Sequence, residues 1–419
     1  PAPPAPRPIT LAEAVELGRD HALVVVQAEG QSRTSSAAVR SAYAAFVPAI
    51  SLSTGATRQV PSTGARTQVQ NGQVVILPAA PWSYNLGYTA NLDLFTGGRR
   101  IFDLQQAKAR AGAAEVNLVT ARYAATLAVK EQYFNVLAAR ESESAADAQV
   151  SQAEQQLHAS ILRLRSLTVT RSDSLRSEIQ LRNALLSRMD ARVAREVAEA
   201  SLTRAVGTPY PVTAATGDSL ELPGLALEEA TIRAMAERGP GVRQAEAELA
   251  AARSARSSAW TAYLPTLSAG FSRSGSGTSG DFAPGGANYD YSGALRFALS
   301  FPLFNQYQRE EQLIQAQVTE SSAEAGLADA RLAAAEGLAT SLGAFHSAEE
   351  RVASQRATVE AAEEDLRVQQ QRYAVGGSTL IDVLTSQATL DAGRQALIRA
   401  RYDQRVAKAQ LEALVGTDL

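Results

Sequence analysis

The sequence predicts an α+β membrane protein. Long helices would carry a 12-stranded β-barrel shared by a homotrimer, four strands per chain, and each chain would be two tandem structural repeats. Three observations predict it. Short motifs recur at one long, fixed offset. Four stretches alternate apolar and polar residues over a length that can cross a bilayer. The rest reads as helix with few breakers.

The repeat comes first, because self-similarity at long period constrains every local reading. Thr170-Arg-Ser-Asp173-Ser-Leu175 and Thr379-Leu-Ile-Asp382-Val-Leu384 stand 209 residues apart, as do Ala205-Val-Gly-Thr208 and Leu414-Val-Gly-Thr417. Leu94-Phe95 and Leu303-Phe304 keep that offset. Ala45-Phe-Val-Pro48 and Ala262-Tyr-Leu-Pro265 differ by 217, the excess being loop, and Ile9-Thr-Leu-Ala-Glu-Ala14 resembles Leu225-Ala-Leu-Glu-Glu-Ala230. A Pro-rich extension (1–8) thus precedes one copy (9–208), a connector (209–224) and a second copy (225–417). The Pro-rich start suits a mature chain that has lost an export signal, or a trimmed one.

Each copy orders its elements alike. A short helix (10–18, 227–238) precedes a medium one (21–46, 241–262), then two strands, a very long helix (99–164, 305–374) and a return helix (172–206, 380–415). At 1.5 Å per residue the long helices would extend roughly 100 Å. The two medium helices of a copy, end to end, would match one long helix, with the short helices and connector at their junction. In the second long helix Leu338, Phe345, Val352, Val359, Leu366 and Tyr373 recur every seven residues. That is a coiled-coil seam, and it would equally serve the core of a helical bundle.

The strands are read at about 48–60, 82–95, 264–275 and 289–304. Tyr84, Leu86, Tyr88, Ala90 and Leu92 alternate with Asn85, Gly87, Thr89 and Asn91; Tyr289, Tyr291, Leu295, Phe297, Leu299 and Phe301 alternate with Asp290, Ser292, Arg296 and Ser300. Ten such residues, tilted, span a bilayer. Trp82, Tyr84, Tyr289 and Tyr291 fall at strand ends, where an interfacial aromatic belt would lie against outer-membrane lipid. The intervening stretches, Pro61–Pro81 and Gly275–Asn288, read as polar loops. A soluble four-stranded sheet packed on helices alternates the same way, but these helices show narrow seams rather than a broad face to cover one. Four strands close no barrel; two copies would give a side-chain-filled one, whereas three give a pore.

Net charge is −3 with Arg and Glu interleaved, so no nucleic-acid partner is expected. No cysteine is present, which excludes thiolate chemistry and disulfides. His21, His158 and His346 are far apart without i,i+4 partners, so neither metal nor cofactor is expected. Glu363-Glu364-Asp365 reads as a wetted helix face, and Gly275–Gly280 lacks the strand-to-helix context of a phosphate loop. No nucleophile–base set can be assembled, which points away from an enzyme.

Tyr373, Gly376, Thr379, Asp382, Val383 and Leu384 spell Tyr-x-x-Gly-x-x-Thr-x-x-Asp-Val-Leu. Together with the tandem repeat, this motif resembles the TolC-like outer-membrane efflux protein family over essentially the whole chain. The resemblance implies a homotrimeric duct in the bacterial outer membrane, continued by a long α-helical barrel in the periplasm. It would export small toxic molecules as part of a tripartite pump, docking on a periplasmic adaptor and served by an inner-membrane transporter. An export duct for type I protein secretion is the alternative; a soluble periplasmic coiled-coil scaffold is the alternative of another class.

The resemblance further implies that the helical tips form the periplasmic entrance. Tyr373 would constrict it, and Asp173 and Asp382 would form a cation-attracting ring, while Leu167, Thr170, Gly376, Gly377 and Thr379 would meet the adaptor. There are departures. Ser378 stands where a locking arginine is familiar and Thr385 where a further acid is, so Arg171 near Asp173 is a candidate substitute. Leu167 occupies the place of Gly376 in the first copy, and Phe95-Thr-Gly-Gly98 becomes Phe304-Asn-Gln-Tyr307 in the second.

Overall fold

A computed structural model of the chain describes residues 6–60, 66–70, 73–77, 80–165, 170–215, 228–284 and 289–417. The first copy holds β1 (Arg7–Ile9), α1 (Leu11–His21), α2 (Leu23–Ala44), β2 (Ala49–Arg58), β3 (Arg66–Gln70), β4 (Gln73–Leu77), β5 (Trp82–Phe95), α3 (Arg99–Arg165) and α4 (Arg171–Val206). After β6 (Val212–Ala214), the second holds α5 (Glu229–Ala236), α6 (Pro240–Trp260), β7 (Thr266–Ser279), β8 (Asp290–Ser300), α7 (Gln308–Ala374) and α8 (Leu380–Val415). The long helices α3 and α7 both have 67 residues, and α4 and α8 both have 36. These four elements begin and end 209 residues apart, copy to copy.

The chain divides into two units, Pro1–Ser32 with Ala114–Glu246 and Gly326–Leu419, and Arg33–Ala113 with Ala247–Ala325. In the helical unit each copy closes an apolar seam of its own. Val150 and Ala153 of α3 meet Ala184 of α4. Ala362 and Leu366 of α7 meet Val383 and Leu390 of α8, with Val359 and Tyr373 against them, so the heptad seam faces α8. Near the other end, Ile232 of α5 enters between Leu338, Phe345 and Leu411, while Ile9 and Val212 of the paired strands β1 and β6 enter beside Tyr133 and Leu202. Burying such side chains is worth about 1.5–3 kcal/mol each.

The join between the copies adds polar pairs. Lys130 of α3 lies 2.5 Å from Glu412 of α8, and Arg401 lies 3.1 Å from Glu141. Ser142 donates to Gln395 at 3.1 Å, and Gln152 to Gln387. Burial pushes the Asp391 carboxyl up, opposed by hydrogen bonds from Gln149 and Gln387 and by the charge of Arg394. Polar pairs thus run along α3 and α8 beside the apolar contact that Tyr402 and Val406 make with the cluster around Tyr133 and Phe134.

Caps explain where the helices stop. Gly207 and Gly416, each at φ +75, end α4 and α8 in the left-handed conformation that glycine adopts without a Cβ penalty.

In the second unit β2, β5, β7 and β8 form one antiparallel sheet in that order. The recurring Phe-Val-Pro and Tyr-Leu-Pro motifs acquire a role here. Arg100 lies over the Phe46 ring at 5.1 Å and donates to the Ala45 and Asp93 carbonyls. Its counterpart Arg309 lies over Tyr263 at 4.8 Å and donates to the Pro302 carbonyl. Both arginines anchor the exit from a strand into a long helix. At that exit Gly97 and Gly98 have φ +63 and +88, and the equivalent Gln306 and Tyr307 keep φ 59 and 63. A left-handed non-glycine residue costs about 1–2 kcal/mol, so the second exit is strained where the first is not.

Two expectations need correction. The stretch read as one polar loop holds the hairpin β3–β4, pairing Arg66 with Leu77 through Gln70 with Gln73. Arg7 and Pro8, read as part of an extension, and Val212–Ala214, read as connector, pair as parallel strands. Three-residue strands carry too little pattern for periodicity to reveal.

Candidate functional site

The two helical tips are built by the same device. Asp173 Oδ2 accepts from the Thr170 backbone N–H at 3.0 Å and its hydroxyl at 2.8 Å, and the Asp173 N–H returns a bond to Thr170 Oγ1 at 3.3 Å. Asp382 does the same with Thr379 at 2.8, 2.8 and 3.3 Å. Each pair is a reciprocal capping box that satisfies orphan donors at the start of α4 or α8. The Thr379 backbone and hydroxyl bonds, aided by the charge of Arg372, hold the exposed Asp382 carboxyl below the usual carboxylate range.

The turn into α8 is made by Gly376 at φ +80. The Gly377 N–H donates to the Arg372 carbonyl at 2.7 Å, and the Ser378 hydroxyl donates to the Gln369 carbonyl at 3.2 Å. Ser378 therefore ties the turn to its own helix. Leu167 lies outside the described residues.

Between the tips is a cavity of about 750 Å³, lined by Arg163, Asp173, Arg176, Tyr373 and Thr379 among others. The Arg163 guanidinium lies over the Tyr373 ring at 4.9 Å, a cation–π contact joining α3 to α7. Arg176 is the arginine near Asp173, at 3.9 Å, while Arg171 is exposed at the head of α4. Sequence reasoning missed both Arg163 and Arg176. Neither sits in the motif, and only packing brings them to it.

The sheet supplies the second set of residues. Its register pairs Leu52 with Tyr88, Tyr88 with Arg273, Ala90 with Phe271, and Phe271 with Leu295. Side chains that share a pairing row share a face. One face thus carries Ile50, Leu52, Leu86, Tyr88, Leu92, Phe271, Leu295, Phe297 and Leu299. The other carries Ser51, Ser53, Asn85, Thr89, Asn91, Ser272, Ser274, Ser276 and Ser292. The apolar face is uncovered: Ile50 is 76% exposed, Leu52 73% and Leu299 72%. No strand pairs with the outer edge of β2 or of β8 among the described residues.

Of the four aromatics expected to form a belt, Tyr84 is buried. Its hydroxyl donates to the Asp281 carbonyl at 3.1 Å and accepts from the Ala283 N–H at 2.8 Å, so the chain itself takes up this ring. Trp82 meets Phe282 edge-on at 4.9 Å, and Tyr289 stacks on Tyr291 with centroids 6.0 Å apart.

A family model described as outer membrane efflux protein matches residues 16–208 and 231–417. The chain belongs to the outer membrane efflux protein family. The two matched segments correspond to the two copies. Among curated relatives, outer membrane protein TolC of Escherichia coli is 26% identical over 332 residues, covering 76% of this chain and 67% of TolC. Protein CyaE of Bordetella pertussis is 28% identical over 346 residues, covering 79% and 68%. A crystal structure of a membrane protein from Pseudomonas aeruginosa shares the fold with a TM-score of 0.78 at 19% identity, covering 100% of this chain and 96% of that one. As a member of this family the chain is an outer-membrane export channel.

Proposed function

We propose that three copies of this chain form a passive outer-membrane duct that exports small toxic molecules, drugs among them, within a tripartite pump. The sheet carries the proposal. It has one uncovered, mostly apolar face that also carries Arg273, one face of hydroxyls and amides that also carries Arg296, and two edges unpaired among the described residues. β8 runs antiparallel to β2, so β8 of one copy can pair with β2 of the next and continue the antiparallel order. Repetition by three closes a ring of twelve strands with no edge left, apolar side to lipid and polar side to a lumen. Trp82, Tyr289 and Tyr291 then meet the membrane interface.

In this reading the helices form a barrel in the periplasm and the tips form its entrance. Tyr373, Asp173, Asp382, Arg171 and Ser378 line or brace that entrance. Leu167, Thr170, Gly376, Gly377 and Thr379 meet a periplasmic adaptor, through which an inner-membrane transporter delivers cargo. Transport needs no chemistry by the duct; the gradient and the transporter supply the work.

The mass of the purified protein tests the assembly. In detergent micelles the protein component should weigh three chains, and detergent removal should aggregate it. A single chain that stays monodisperse in plain buffer would instead make this a soluble periplasmic scaffold.

A further inference from the structure

We infer that the exit from the second copy's last strand, residues 301–312, is a docking surface for another chain of the same sequence. It receives that partner's corner between α2 and β2, residues 41–48. The inference rests on the duct reading above and adds to it a contact between named residues of two chains.

Within one chain the first copy's exit already makes such a contact. β5 and β7 are antiparallel neighbours, so the end of β5 lies beside the start of β7, where Phe95 pairs with Leu267. There Thr96 and Gly97 are buried against the corner that precedes β7. A Cβ on Gly97 would stand 2.6 Å from Leu264 Cβ and 3.1 Å from the Thr261 carbonyl oxygen. The Ser258 hydroxyl donates to the Asp103 carboxylate, which locks the start of α3 onto the same corner.

The corner before β7 is therefore gripped twice, by that exit and by Arg309 over the Tyr263 ring. The corner before β2 is gripped by its own copy alone, through Arg100 over Phe46 and Lys108 over Tyr43. The offsets of 209 and 217 residues name what is missing. Gly97 and Asp103 correspond to Gln306 and Gln312; Ser258, Thr261 and Leu264 correspond to Ser41, Ala44 and Val47. All five of these counterparts are exposed, and β2 and β8 stand at opposite edges of the sheet. The second exit also leaves Leu303 82% exposed, with Phe304 and Tyr307 open beside it.

Pairing β8 with the β2 of a partner sets the end of β8 beside the start of that β2, as the end of β5 lies beside β7. The side chains suit the contact. Val47 is one carbon shorter than Leu264, which makes room for the Cβ that Gln306 carries and Gly97 lacks. Ser41 repeats Ser258, and the Gln312 amide oxygen can accept from it as Asp103 does. The contact also accounts for the left-handed Gln306 and Tyr307: they keep the exit on the path that fits the corner, where the first copy uses glycines.

The chain has no cysteine, so introduced pairs report the contact directly. A disulfide forms only where Cβ atoms come within about 3.5–4.5 Å. Val47→Cys with Gln306→Cys, oxidised in detergent, should link most chains into a ladder that ends at three on a non-reducing gel. Ser41→Cys with Gln312→Cys should do the same, and each single substitution should run as one chain. Protein that weighs three chains in detergent while neither pair links, or links only within a chain, would overturn the inference and leave the duct intact. Wild-type protein that weighs a single chain in detergent would remove the duct reading and the inference with it.

Discussion

The two copies share a backbone and differ in what they do with it. Gly97 and Gly98 turn the chain out of β5, and Gln306 and Tyr307 make the same left-handed turn out of the second copy's last strand. The Thr-x-x-Asp box opens both return helices, yet one tip carries the arginines and the other carries paired glycines. Geometry at the joints is held fixed, even at a cost of about 1–2 kcal/mol per strained residue, while tip chemistry is divided between the copies. The seams teach the same lesson. Within a copy the seams hold apolar clusters such as Val150 with Ala184 and Leu366 with Val383, with ion pairs such as Arg195 with Glu143 beside them. Between copies the contact adds Lys130 with Glu412 and the glutamine pairs to the apolar packing of Tyr402 and Val406, polar contacts that specify register more than they add stability.

Breaking the join between copies should have the largest effect. Lys130→Met takes the cation from beside the buried Glu412 carboxylate and should cost about 3–5 kcal/mol in urea unfolding in detergent, while Lys130→Met with Glu412→Leu should recover most of it. The strand exits come next, and here the copies should respond with opposite sign. A Cβ on Gly97 would stand 2.6 Å from the Leu264 side chain at a positive φ, so Gly97→Ala should cost about 2 kcal/mol. Gln306→Gly relieves the matching strain and should raise stability by up to about 1 kcal/mol.

The caps should respond alike. Thr170→Ala and Thr379→Ala each remove one reciprocal box and should each cost about 1 kcal/mol in the same unfolding assay; a large inequality would show that the tips are not equivalent. The smallest effect concerns pH. Because the folded Asp391 carboxyl is raised, its protonated form favours the folded state. Its contribution is full below the usual carboxylate range and is lost as pH rises through the raised value. Asp391→Asn should flatten the pH dependence of thermal stability from the usual carboxylate range upward, by less than about 1 kcal/mol given partial exposure.

Much of this was legible in the sequence because it rests on period and offset. The spacing of 209 residues located both tips, and alternation assigned the two faces of the sheet residue by residue. The hairpin β3–β4 had a local signal too, Asn71-Gly72 between Val-rich runs, which the Gly/Pro content of the loop obscured. Other features had none. Arg163 is one arginine among many on a long helix, and only tertiary packing sets it on Tyr373. Tyr84 alternates like its neighbours, and its burial depends on a turn almost two hundred residues away. The polar seam of α3 with α8 likewise reads, in one dimension, as two ordinary wetted faces.

The account stands most directly on conductance. Purified protein added to one side of a planar lipid bilayer should insert as discrete, uniform current steps that persist without any adaptor or transporter. A bilayer that stays silent, with protein that weighs a single chain in detergent, would contradict it.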